Sequence, residues 1–454
     1  MRALLVSTYE LGRQPFGLAS PAAWLRARGW DVSCADLAKD PLRDDLAIEA
    51  DVVGFHLQMH TATRLAAPVI ARVRALNRSG RICAYGLYAP LNEVWLRSIG
   101  VDAVFGGEFE QDLADWAGGG RPSPVAAGPA IPRLAFLVPD RSGLPPLERY
   151  ATLTMPDGST RAAGATEASR GCRHLCRHCP VVPVYQGQFR VVPPEIVLAD
   201  VANQVAAGAG HITFGDPDFL NGPTHACRII DGLHAAHPEV TYDVTIKIEH
   251  LLRHRNLLPR LAATGCLFVT SAVESVDDAV LARLDKGHTR ADFILAVSLC
   301  REAGVTLVPT FVAFHPWLTL DGYCDLLDTL AVLDVVDYVA PIQLAIRLLV
   351  PDGSRLLELP ELTARLGLFD PVTLAYPWRH PDPRVDALQV EVSRLIGTHV
   401  SADRRALFAL LHTLAYQRAG RPGSPPEPAG HAQPVATLNE PWYCCAEPQE
   451  MRQI

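Results

Sequence analysis

Several things are missing from this chain, and each absence removes a class of function. There is no apolar run of about 18 residues, the length a membrane-spanning helix needs. There is no excess of positive charge; the formal net charge is −8. A basic patch is the usual footprint of a nucleic-acid binder, so neither a membrane nor nucleic acid is expected as the main partner. The opening MRALLVSTYE carries too short an apolar run for a signal peptide, so a cytoplasmic location is expected. No GxGxxG follows the first apolar segment and no Walker A sequence occurs, which disfavours a dinucleotide or nucleoside-triphosphate loop.

What is present is ordinary globular material at sufficient length. The 454 residues are 49% apolar and 20% charged, enough for two or three domains. Residues 1–117 alternate short apolar runs with helical stretches. RALLVSTY, WDVSCADLA, ADVVGFHL, RICAYGLYA and VDAVFGG read as strands. Repeated β-α units of this size predict a parallel sheet with helices on both faces, here a flavodoxin-like doubly wound domain. Its strand exits at His56–Thr61, Gly86–Tyr88 and Gly106–Glu108 should line a crevice.

Residues 118–165 are rich in Gly, Pro and Ser and read as a linker. From 166 to 355 the alternation returns, with six strand-like runs: ATEASR, HITFGD, TYDVTIKI, CLFVTSA, VTLVPTFVA and DYVAPIQLAI. Six β-α units predict a partial barrel with its chemistry at the C-terminal strand ends. Residues 356–420 read as largely helical. A Pro/Gly-rich segment and a tail, WYCCAEP, occupy 421–454.

Six of the eleven cysteines are scattered among apolar neighbours and read as core: Cys34, Cys83, Cys227, Cys266, Cys300 and Cys324. The other five are clustered. Cys172, Cys176 and Cys179 follow the first barrel strand with CxxxCxxC spacing. Thiolates are soft ligands suited to zinc or to iron–sulfur clusters. Three of them can hold three irons of a [4Fe–4S] cubane and leave the fourth open. The competing reading is a structural zinc site completed by His174 or His178, but no second ligand pair follows at ribbon spacing.

CxxxCxxC at the exit of the first strand of a partial (β/α)6 barrel resembles the radical S-adenosylmethionine (SAM) enzymes. The resemblance implies a cluster on Cys172, Cys176 and Cys179 whose open iron chelates SAM. It implies an external reductant of flavodoxin or ferredoxin type, and reductive cleavage of a carbon–sulfur bond. Gly215 and Asp216 then fall where the SAM ammonium is met, although the usual GGE is absent; a plain turn with an Asx cap is the competing reading. Lys247, Glu249, Ser271 and Glu274 suit ribose hydroxyls and a carboxylate; a structural Lys247–Glu274 ion pair competes with that role. Lys286 is expected just outside, at the surface or facing substrate. Thr310 and Gln343 fall on the adenine or substrate side, or serve only the backbone.

The N-terminal unit resembles the cobalamin-binding domain of B12-dependent radical SAM proteins, but lacks Asp-x-His-x-x-Gly, so histidine ligation of cobalt is not indicated. WYCCAEP resembles the ending of the CUAEP/CCAEP-tail radical SAM group. A vicinal pair is a poor structural staple, so Cys444 and Cys445 read as a redox or thiophilic dithiol with a catalytic role, with inert surface as the competing reading. The resemblance implies a transferase acting on a small molecule or a metalloid, with transfer of the 3-amino-3-carboxypropyl group of SAM to trivalent arsenic as the specific expectation. The alternatives are a cobalamin-dependent methyltransferase or rearrangement enzyme, and a non-catalytic iron–sulfur or metalloid sensor.

Overall fold

The structure is a computed structural model and describes residues 1–121, 134–399, 403–422, 424, 426 and 436–439. Its first sheet comprises β1 (Arg2–Ser7), β2 (Asp31–Asp36), β3 (Val52–His56), β4 (Arg81–Tyr85) and β5 (Ala103–Phe105), in the order β2-β1-β3-β4-β5. All four pairings are parallel. β3 is buried at every position and β1 at all but its first residue. Strands covered on both faces read as continuous apolar runs, which is why they were legible. Two cores lie on opposite faces. Leu4, Val6, Val53 and Phe55 pack on one side; Ala3, Leu5, Val52 and Tyr85 pack on the other, against helices Phe16–Ala27 and Glu110–Ala117. The strand order switches between β1 and β3, the place where such sheets take ligands.

The second sheet is mixed. β6 (Thr152–Thr154) and β7 (Thr160–Thr166) form a hairpin around Pro156-Asp157-Gly158. A small separate ladder, β8 (Ser169–Gly171) with β9 (Phe189–Val191), follows. Then come β10 (Ala209–Phe214), β11 (Thr241–Thr245), β12 (Cys266–Glu274), β13 (Thr306–Phe311) and β14 (Thr437–Leu438). The main sheet runs β13-β12-β11-β10-β7-β6-β14, with β7 and β10 to β13 parallel.

Three expectations are corrected here. The first barrel strand is Thr160–Thr166 rather than ATEASR. DYVAPIQLAI is not a strand; it forms short 3-10 turns at Val336–Tyr338 and Pro341–Leu344, leaving a single bridge from Arg347 to Phe314. Pro341 has no N–H to give a ladder and fixes its own φ, so this apolar run cannot pair as a sixth strand. Among the described residues the barrel therefore has five parallel strands. Lastly, 356–420 is helical but not throughout: among the described residues its long helices are Pro383–Thr398 and Arg404–Ala419, with bridges Leu366–Trp378 and Asp370–Ala375 before them.

β14 lies within the segment read as linker and tail. It pairs antiparallel with β6, Thr437 opposite Thr154 and Leu438 opposite Leu153, so the approach to the tail is fixed to the barrel edge. Cys444 and Cys445 lie outside the described residues. Of the six scattered cysteines, Cys83, Cys266, Cys300 and Cys324 are buried, while Cys34 and Cys227 are half-buried. Among the described residues no helix is long and apolar enough to cross a membrane.

Candidate functional site

The cysteine loop does not leave the first barrel strand directly. β7 ends at Thr166, and the chain makes β8 before reaching Cys172. Gly171 sits at φ +76°, and a Cβ there would meet Gln188 O at 2.4 Å and Tyr185 Cδ1 at 2.5 Å. Only glycine fits that hinge. Asn221 Oδ1 accepts from the Arg173 N–H at 3.2 Å, and Leu284 O accepts from the Arg177 N–H at 2.9 Å. The loop is thus tied to two later barrel segments.

Cys172, Cys176 and Cys179 all line one cavity of about 200 Å³ between the barrel and the N-terminal unit. Burial pushes the Cys172 and Cys176 thiols up, and the neighbouring thiols add to the effect. Three thiols in mutual electrostatic contact, Cys176 buried and Cys172 and Cys179 half-buried, are unfavourable as thiolates unless a cation joins them, so the donor set fits an iron cluster. The zinc alternative fares differently from expectation. The compact ligand group is Cys172, His174 and Asp218, whose donor atoms lie within 4.8 Å of one another; Cys176 and Cys179 are not part of it.

Buried charge surrounds the cysteines. Glu274 closes β12 at φ +70°. Its Oε1 lies 3.0 Å from His178 Nε2 and 3.5 Å from Lys286 Nζ. Burial opposes ionisation of Glu274, yet Lys286 and His178 hold its carboxyl below the usual range. Asp218 is treated alike: against the cost of burial, His174 and His250 hold it ionised, with His250 Nδ1 at 2.8 Å. Lys247 Nζ lies 3.6 Å from Glu249 Oε2, and Glu249 also reaches His174 Nδ1 at 3.4 Å. The structural pair expected between Lys247 and Glu274 is therefore replaced by two others, Lys247–Glu249 and Lys286–Glu274. Lys286 is only 3% exposed, not at the surface, and lines the cavity.

The remaining expected residues divide. Gly215, Lys247 and Glu274 line the cavity. Asp216 does not; Ala168 N–H donates to its Oδ2 at 2.9 Å and Ser169 Oγ donates to its Oδ1, so it braces the turn into β8. Burial pushes Asp216 up to about 7. Ser271 is fully buried but does not line the cavity. Alternation along β12 sends Ala272 and Glu274 to the lumen and Ser271 to the opposite face. Thr310 and Gln343 line a second, smaller cavity inside the barrel, where Gln343 Oε1 also accepts from the Phe311 N–H at 3.1 Å.

Sequence reasoning missed Asp218 and Arg13 as cavity residues, while for Lys286 the structure selects the second of its two readings, facing the cavity. GDPDF offers two aspartates and no local sign of which faces inward. Arg13 comes from the loop after β1 in the other unit and has no motif.

The N-terminal unit supplies Gln58, Met59, Leu87 and Tyr88 to the cavity. Its own crevice is largely filled. His56 packs on Gly17, where a Cβ would approach its ring to 2.1 Å, and its Nδ1 faces Glu10 Oε2 at 3.2 Å. The gap beside it is about 50 Å³. His56 is engaged with Glu10 and so does not offer itself as a cobalt ligand, while the strand ends at Gln58, Met59, Leu87 and Tyr88 open on the main cavity and are compatible with a cobalamin there.

Residues 166–330 match the Radical SAM superfamily. The tRNA-2-methylthio-N(6)-dimethylallyladenosine synthase of Desulfosudis oleivorans is 29% identical over 211 residues, 42% of this chain and 42% of that protein. The chain spans less than half the length of the curated relatives it matches. Two solved structures share the fold. One is the cobalamin-dependent S-adenosylmethionine radical enzyme OxsB with aqua-cobalamin and S-adenosylmethionine bound (TM-score 0.68, 15% identity, 92% of this chain and 72% of that one). The other is the radical S-adenosylmethionine methyltransferase TsrM from Kitasatospora setae (TM-score 0.61, 16% identity, 89% and 88%). The likeness to both is one of fold. The barrel match and the three converging cysteines together make this chain an enzyme with a radical SAM superfamily domain, for which a [4Fe–4S] cluster and SAM are the implied cofactors.

Proposed function

We propose that the chain holds its cluster on Cys172, Cys176 and Cys179 and seats SAM in the adjoining cavity, where a fragment of SAM is passed to a small molecule. The observation that carries this is the convergence of the three cysteines on a cavity walled by both units. When bound and reduced, by an external flavodoxin- or ferredoxin-type donor, the cluster supplies the electron that breaks a sulfonium carbon–sulfur bond. The chain's own residues bind and orient. The Gly215 backbone offers a carbonyl to the SAM ammonium. Lys247 lines the cavity at the β11 exit and faces the ribose, held by Glu249, which stands outside the cavity wall. Glu274 stays ionised between His178 and Lys286 and gives the cavity a fixed negative group; such pre-set charge in a dry site needs no rearrangement during reaction. A small substrate is favoured because the N-terminal unit covers the strand ends.

Transfer of the aminocarboxypropyl group to trivalent arsenic is a narrower reading. It rests on Cys444 and Cys445, and none of the relatives or structures named above is described as acting on a metalloid.

The test is anaerobic reconstitution, an iron and sulfide count, reduction with dithionite and mass spectrometry of SAM products, with and without arsenite. A four-iron cluster and SAM cleavage are expected, both lost in Cys176→Ala. A fully loaded cluster that leaves SAM intact would sink the proposal. 5′-Deoxyadenosine as the product removes the arsenic reading; methylthioadenosine together with an arsenic-bearing amino acid supports it.

A further inference from the structure

After helix Asp278–Arg283 a tight turn carries Lys286 inward, and the residue is only 3% exposed. Left-handed backbone flanks it on both sides, with Asp285 at φ +56° and Gly287 at φ +70°. Glycine takes that conformation freely and aspartate does so at a cost; strain of this kind gathers at functional positions. The turn is also tied to the cysteine loop. Leu284 O accepts from the Arg177 N–H at 2.9 Å, and Arg177 Nη1 donates to Arg283 O at 2.9 Å. Arg177 is the residue after Cys176. The backbone thus holds Lys286 against the Cys176 end of the loop, and both residues line the main cavity.

Charge is spread unevenly around the three cysteines. Burial pushes the Cys176 thiol up; of the charges that act on it, Lys286 is the largest and Lys247 the next, both favouring the thiolate, ahead of Cys179 and Glu274, which oppose it. At Cys172 the largest is Asp218, which opposes the thiolate. Glu274 lies 3.5 Å from Lys286, but the same carboxylate oxygen also meets His178 at 3.0 Å. A buried ammonium is costly, and this one stands where a ligand thiolate is expected to carry negative charge.

We infer that Lys286 sets the reduction potential of the cluster: its ammonium, fixed at the Cys176 end by the Asp285–Gly287 turn, favours the reduced form and brings it within reach of the external donor. The inference deepens the proposed function and rests on its reading of Cys172, Cys176 and Cys179 as the cluster ligands. In the step concerned the flavodoxin- or ferredoxin-type donor loses one electron and the cluster gains it; no bond forms or breaks. That electron adds negative charge to a buried site. Net charge around such a cluster is one of the terms that set its potential, and a cation already in place needs no rearrangement when the electron arrives. Lys286 acts through Cys176, as a positioning residue. Asp218, at the Cys172 end, works in the opposite sense.

The test is a redox titration of the reconstituted full chain at one fixed pH, read by electron paramagnetic resonance of the reduced cluster. SAM is left out, because Lys286 lines the cavity it would occupy. Lys286→Met should disfavour reduction about tenfold, a fall of about 59 mV for one electron, at wild-type iron content. The fall is expected whether Glu274 then stays ionised or takes up a proton, because Lys286 outweighs Glu274 at Cys176. Lys286→Arg keeps the charge and should stay within about twofold of wild type. Glu274→Gln removes the opposing charge and should raise the potential. A purely structural ion pair would change loading or stability and leave the potential of the loaded cluster where it was. If Lys286→Met takes up no cluster, Lys286→Arg and Glu274→Gln carry the test. An unchanged or raised potential in loaded Lys286→Met, or an unchanged or lowered one in Glu274→Gln, would overturn the inference and leave the proposed function standing. A loaded wild-type cluster that leaves SAM intact sinks the proposed function alone, and a wild type that takes up no four-iron cluster sinks both.

Discussion

Replacing Arg170 by methionine should detach the N-terminal unit from the cysteine loop. Arg170 stands two residues before Cys172 with a side chain 7% exposed, and it meets three carboxylates. Its two terminal nitrogens donate to Glu110 at 3.0 and 2.6 Å, and its Nε donates to Glu167 at 2.8 Å; Glu108 lies at 3.4 Å. Phe16, Phe109 and Phe136 surround the guanidinium at 5.3 to 5.6 Å. Glu108 and Glu110 belong to the N-terminal unit and are essentially without solvent. Methionine keeps much of the volume and removes the charge, leaving buried carboxylates uncompensated. Breaking a buried pair from one side costs about 3–5 kcal/mol. Part of that cost is relieved when the carboxylates take up protons, so the penalty should grow as pH rises. Urea unfolding at acid and at mildly alkaline pH measures it, with iron content after reconstitution as the local readout. The double variant Arg170→Met with Glu110→Gln should recover about 1–3 kcal/mol of the loss as pairwise coupling. A single variant within about 1 kcal/mol of wild type, the ordinary worth of an exposed pair, would refute the view of Arg170 as the clamp between the units.

Other expectations concern neighbouring features. Gly171→Ala forces a side chain into a left-handed backbone and against Gln188 O; strain of about 1–2 kcal/mol and overpacking of about 1–3 kcal/mol should lower iron incorporation, and full iron loading would contradict the hinge. Burial pushes Glu108 up to about 7 from an ordinary carboxyl value. The folded state therefore binds the proton more tightly, so stability from this group is present at acid pH and lost as pH rises towards 7. Glu108→Gln should flatten that part of the stability profile, and an unchanged slope would count against it. Cys444→Ser and Cys445→Ser should leave iron content and SAM binding intact while abolishing any arsenite-dependent product; full arsenite-dependent activity in both would remove the tail from the chemistry.

The parts legible in the sequence were those written in short range. CxxxCxxC needs no partner to be read, and the five strands of the first sheet are near-continuous apolar runs because helices cover both faces. Legibility ended where a distant contact decides. Ser271 and Ala272 are one residue apart, and only the pairing of β12 with its neighbours determines which faces the lumen. DYVAPIQLAI is as apolar as a strand, and Pro341 breaks it. Lys286 sits in a DKG turn that looks like surface, yet the turn folds back until Gly287 lies under Glu249 Oε2, where a Cβ would come within 2.8 Å. β14 is two residues among prolines, too short for any pattern, and it exists because β6 offers it an edge.

The missing glycine loop of the N-terminal unit now has a physical counterpart. In a nucleotide-binding sheet the turn after the first strand is kept small so that a phosphate can reach the free N–H groups of the next helix. Here Pro15 precedes helix Phe16–Ala27, and the ring of His56 covers Gly17 in that helix's first turn. The loop is spent on other contacts. Glu10 faces His56, Gln14 Nε2 donates to Pro145 O at 3.0 Å, and Arg141 bridges Gln14 to Asp200 of the barrel. Arg13 goes furthest, into the wall shared by both barrel cavities. A loop tied down in this way cannot also cradle a nucleotide. The doubly wound unit thus roofs the barrel: its strand ends close the main cavity, and Arg13 of its first loop joins the cavity wall.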